Sequence, residues 1–127
     1  MSYIFLVAQD TSTIADVISY LENSGHKVAV TNSGEDALNI IQAGKEPDIL
    51  FVEEWVVDLH AYEVLGMLRQ MRSPSITKVL IGLRENANGV PFQKWNLTAS
   101  GFIMMPYTKW QLILAIEQLI YRNVSME

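Results

Sequence analysis

Short, nearly unbroken apolar runs constrain this chain more than any other feature: "YIFLVA" (3–8), "DILFV" (48–52), "KVLIGL" (78–83) and "GFIMM" (101–105). Each is too short for a helix and too continuous for a half-exposed strand. They are predicted as strands buried on both faces, the pattern of a parallel sheet. "KVAVT" (27–31) adds another strand. The stretches between them carry helical periodicity. Ile14, Val17, Ile18 and Leu21 form one stripe, with Thr11 to Thr13 available as a cap, Thr13 and Asp16 as a weak capping box, and Gly25 as a stop. "NSGEDALNIIQAG" (32–44) is predicted as a helix capped by Asn32 or Ser33. Glu35 and Asp36 lie at its positive end, Ala37, Leu38, Ile40 and Ile41 on its inner face, and Gly44 ends it. Further helices are predicted over 61–72, with Val64, Leu65, Leu68 and Met71 inward, and over 108–122, with Leu112, Ile113, Ile116 and Leu119 inward. Between those two, 85–99 gives the weakest helical pattern, opposed by Asn86, Asn88, Gly89 and Pro91. Five strand–helix units in one chain of this length imply an α/β fold, a doubly wound parallel sheet with helices on both faces.

The 127 residues, half of them hydrophobic, suit one domain with a real core: residues 1–122, with 123–127 as a tail or the start of a linker. A net charge of -5 and scattered basic residues argue against nucleic-acid binding. No cysteine is present, which removes disulfide and thiol chemistry. His26 and His60 have no metal-ligand spacing, and no apolar run approaches a membrane span. A cytoplasmic protein without cofactor or bound metal is expected, and its two N-x-[ST] matches are taken as chance.

Parallel sheets of this type place their sites at the carboxyl ends of the strands. Gln9, Asp10, Glu53, Leu83 and Met105 occupy those ends. Glu53 stands out because the apolar run Ile49 to Val52 stops abruptly at it.

The order of elements, together with "TNSGEDALNIIQAGKEPDILFVE", "AYEVLGMLRQMR" and "SGFIMMPY", resembles the receiver domain of two-component response regulators over Ile4 to about Tyr121. The resemblance implies five strands in the order 2-1-3-4-5, a flavodoxin-like arrangement. It also implies four chemical parts: an acidic pair that holds magnesium with an acceptor aspartate, a hydroxyl residue, and a lysine before a proline. The metal and lysine offset the negative charge of a transferred phosphoryl group. Carried onto this sequence, the acidic pair falls at Gln9 and Asp10, counting from the first helix, or at Ala8 and Gln9, counting from Gly25. The first is taken, because Ile14, Val17 and Ile18 then match inner helix positions. The acceptor position is Glu53. The hydroxyl position, thirty residues on, is Leu83, and the lysine position, fifty-two on, is Met105, followed by Pro106. Val57 and Ala61 stand where the family has Pro and Gly.

Leu83 offers no hydrogen bond and Met105 no charge. The resemblance therefore implies a degenerate receiver, a pseudo-receiver that works in signal transduction by protein contact. It would not be an enzyme, and a carboxylate pair of Asp10 and Glu53 lacks a nucleophile or phosphate loop beside it. Residual phosphorylation, anion binding at the strand ends, and Glu53 as a built-in imitation of the phosphorylated state are the alternatives. A solvated carboxylate at a strand end is the expectation for Glu53. Phe102 falls at the family's switch-aromatic position and is expected to rest on Leu83 as core.

The last helix carries more apolar residues than one buried stripe needs. Phe102, Met104, Trp110, Leu114 and Tyr121 are therefore the candidate interface, on the face that receivers build from their fourth helix, fifth strand and fifth helix. The expected partner is another signalling protein or a second copy. Trp55 is read as roofing the site, Trp95 as anchoring the weak helix, and Asp58 and His60 as ordinary loop residues.

Overall fold

The computed structural model describes residues 2–9, 11–44, 46–53, 63–64, 66–67, 77–84 and 100–124. Its elements are β1 (Tyr3–Val7), α1 (Thr11–Asn23), β2 (Lys27–Thr31), α2 (Gly34–Gln42), β3 (Ile49–Glu53), β4 (Lys78–Arg84), β5 (Gly101–Met105) and a last helix (Lys109–Val124). The five strands form one sheet in the order β2-β1-β3-β4-β5, and every pair is parallel. Asp10, residues 54–62, most of the predicted third helix and the predicted fourth helix lie outside the described residues, as do Val57, Ala61, Trp55, Trp95, Asp58 and His60.

Alternation along the strands sorts the apolar runs onto two faces. Ile4, Leu6, Ala8, Ile49, Phe51 and Leu80 meet α1 and the last helix through Ile14, Val17, Leu21, Leu112, Ile113, Ile116 and Leu119. Phe5, Val7, Leu50, Val52, Val79, Ile81 and Leu83 meet Ala37, Leu38 and Ile41 of α2, and Val64. Each large side chain so buried contributes about 1.5–3 kcal/mol, so continuous apolar runs are what a two-sided sheet requires. The middle strand, β3, is buried along its whole length.

Local signals set the helix ends. The Asp36 N–H donates to Ser33 Oγ at 3.1 Å, and Glu35 and Asp36 occupy the first turn of α2. Gly44, with φ of 94°, stands just beyond that helix in a conformation that suits glycine. The Thr13–Asp16 capping box does not form. α1 begins at Thr11, so Thr13 is already inside the helix. The last helix is capped by reciprocal bonds instead. The Thr108 N–H donates to Gln111 Oε1 at 2.8 Å, and the Gln111 N–H donates to Thr108 Oγ1 at 3.2 Å. This helix continues through Val124, past the domain end expected at 122.

Candidate site at the carboxyl ends of the strands

Glu53 is the last residue of β3 and is 2% exposed. The expectation of a solvated carboxylate is therefore overturned. The physical reason is that both oxygens are satisfied from within. The Gln9 N–H, just past β1, donates to Oε1 at 2.9 Å. The Tyr107 O–H, just past β5, donates to Oε2 at 2.7 Å. Both carboxyl oxygens thus act as acceptors, one toward a backbone N–H and one toward a phenolic O–H. Burying the group without these bonds would be costly.

The ring of Tyr107 stands edge-on to Phe51, with centroids 5.6 Å apart and planes at 85°. Phe51 is fully buried and presses against β4 where the chain has Gly82. A Cβ at Gly82 would lie 3.1 Å from the Phe51 ring and 3.4 Å from Met105 Sδ. Gly82 is thus what lets the Phe51 ring approach the strand, and Met105 packs its sulfur over the same spot. Gln9, Glu53 and Met105 are brought to one edge of the sheet. Leu83 lies on the opposite face, in the cluster of Ile81 and Val79. Half-buried Phe102 packs against that cluster.

Among the described residues, no three His, Asp or Glu side chains converge as a metal would need. Glu53 already accepts two hydrogen bonds. The described residues alone do not supply the octahedral oxygen cage of magnesium. Asp10, the other expected acid, is outside the described residues.

No family model matches the chain. Across 118 residues it is 21% identical to "Response regulator SaeR" of Staphylococcus aureus, covering 92% of this chain and 50% of that protein. The chain thus spans about half the length of the curated relatives it matches. Its backbone superposes on the receiver domain of Francisella response regulator 1452 with a TM-score of 0.78, at 18% identity, covering 97% of this chain and 99% of that one. The receiver domain of the TMAO respiratory system response regulator TorR gives a TM-score of 0.79 at 20% identity, covering 96% and 98%. The chain has the receiver fold.

Within that fold the five candidate interface residues do not share one surface. Phe102, Met104 and Leu114 line a groove of about 320 Å³ between β5 and the last helix, together with Gln111, Ala115 and Gln118. Met104 and Leu114 are more than half exposed. Trp110 is as exposed, but it turns toward α1, where its ring meets Tyr20 edge-on at 5.3 Å. Lys109 lies 5.6 Å from the Trp110 ring and 3.7 Å from Asp16. Tyr121 is exposed further along the helix.

Sequence reasoning gave no role to Tyr107. Its signal was present: a hydroxyl-bearing ring two residues beyond β5, at the same sheet edge as an acid. The Thr108–Gln111 capping box was also legible as Thr-x-x-Gln.

Proposed function

We propose that the chain is a receiver-like signalling module that takes up no phosphoryl group and acts by contact with another signalling protein or a second copy of itself. The burial of Glu53, with one oxygen bonded to Gln9 and the other to Tyr107, carries this reading. In the receiver frame Glu53 takes the acceptor position, Gln9 and Asp10 the acidic pair, Leu83 the hydroxyl position, Met105 the lysine position and Phe102 the switch aromatic. An acceptor must present a free oxygen to the incoming phosphorus, beside a cation and a hydroxyl. Glu53 presents none, and neither Leu83 nor Met105 supplies the partner groups. The same inward carboxylate supports a structural role for Glu53 over imitation of a phosphoryl group.

Contact is assigned to the groove of Phe102, Met104 and Leu114; Trp110, against Tyr20 on the α1 side, and Tyr121, further along the helix, are exposed outside it. Exposed large apolar side chains at this density mark interaction surfaces. The reading places the module in the cytoplasm, without enzymatic activity, cofactor or nucleic-acid binding of its own. Among the described residues no helix is long and apolar enough to cross a membrane.

Magnesium offers a direct test, because a ligand that binds the native state raises its melting temperature. Titration with magnesium is expected to leave the midpoint unchanged. A dose-dependent rise that Asp10→Asn abolishes contradicts the proposal.

A further inference from the structure

One carboxylate ties together two loops that are distant in sequence. Glu53 is separated from Gln9 by 44 residues and from Tyr107 by 54. The tie leads directly into the last helix. Tyr107 immediately precedes the helix cap, Thr108, and packs with Leu112 in the same apolar cluster. These are the positions of a hydrophobic staple, which fixes the angle at which a chain enters its helix. Gln111 has two duties. Its side chain closes the cap on the Thr108 N–H, and the residue also lines the groove with Phe102, Met104 and Leu114.

We infer that Glu53 and Tyr107 form a latch that sets the shape of the β5–last helix groove. With the latch closed, Tyr107 is held against Phe51, the Thr108–Gln111 cap is in register, and Gln111 is kept at the groove wall. With the latch open, the Tyr107 loop and the first helical turn loosen, and the groove loses its fixed wall. The sheet edge and the groove are then two ends of one two-state element, which is what coupling between separate sites requires. This goes beyond the proposed function and does not depend on whether the chain accepts a phosphoryl group.

The test uses the full chain with Tyr107→Phe, Glu53→Gln and the double variant, read by amide hydrogen exchange and by the NMR signal of the Met104 methyl group. Tyr107→Phe keeps the ring and removes only the donor. Exchange at Thr108 to Leu112 is expected to rise about tenfold in Tyr107→Phe, the scale of one lost hydrogen bond, and by less in Glu53→Gln, where an amide can still bond the hydroxyl. The double variant is expected to go no further than Tyr107→Phe alone, because Glu53→Gln only weakens the contact that Tyr107→Phe removes. The Met104 methyl signal is expected to move in the same direction in both single variants. Unchanged exchange in the first turn of the last helix, an unmoved Met104 signal, or fully additive effects would each overturn the latch. Should Glu53→Gln not fold, Tyr107→Phe alone decides, by exchange and by the Met104 signal.

Discussion

Two regions of this molecule handle polarity in opposite ways, although Met105 at one and Trp110 at the other are near neighbours in sequence. At the carboxyl edge of the sheet, the Glu53 carboxyl group is taken inside and both its oxygens are bonded by protein donors. On the outer side of β5 and the last helix, Met104, Trp110, Leu114 and Tyr121 leave apolar surface in water. Buried polar atoms in proteins are normally satisfied, and satisfaction leaves little capacity for a reactant. Exposed apolar clusters leave free energy to be gained by a partner. On the proposed reading, that difference assigns partner contact to the exposed face and a structural role to the buried carboxylate.

Substitutions at the closed edge test one half of that comparison. Phe51→Ala removes the ring that supports Tyr107 and fills the space over Gly82. It is expected to cost about 3–5 kcal/mol in chemical denaturation, the scale for a large core side chain. A loss below about 1 kcal/mol would mean that the edge is not packed as described. Gly82→Ala places a methyl 3.1 Å from the fully buried Phe51 ring, which must shift by a few tenths of an ångström to admit it. A destabilisation of about 1–3 kcal/mol is expected from such overpacking. A neutral result in the same denaturation measurement would show that the Phe51 ring shifts without cost.

The open face should behave differently. Trp110→Ser with Leu114→Ser is expected to change folding stability by only about 0.5 kcal/mol or less per site, as surface positions do. Sedimentation and pull-down are expected to show weaker self-association or partner capture. If both stay unchanged, the contact surface lies elsewhere. The two substitutions made singly separate the groove, which Leu114 lines, from the α1 side, where Trp110 meets Tyr20.

The sheet was legible in the sequence because continuous apolar runs have few other uses. "KVAVT" and "GFIMM" match β2 and β5 in full, and the inner face of the last helix, Leu112, Ile113, Ile116 and Leu119, is buried as its spacing requires. The edges of the strands were harder to read. The apolar run predicts that β3 stops at Val52, yet it includes Glu53, because a polar side chain can stay in a buried strand once its oxygens are hydrogen-bonded. Those bonds come from residues 44 and 54 positions away, so no local pattern announces them. The candidate interface was legible as an excess of apolar residues. How it divides was not, because whether Trp110 faces α1 or β5 depends on the rotation of the helix against its neighbours.

The central claim is that Glu53 is a structural group at a site that no longer carries phosphoryl chemistry. The most direct measurement is intact-protein mass spectrometry after incubation with a small-molecule phosphodonor and magnesium. The account predicts an unchanged mass, with no acid-labile phosphoprotein. A mass increase of one phosphoryl group, mapped to Glu53 or Asp10, would contradict it.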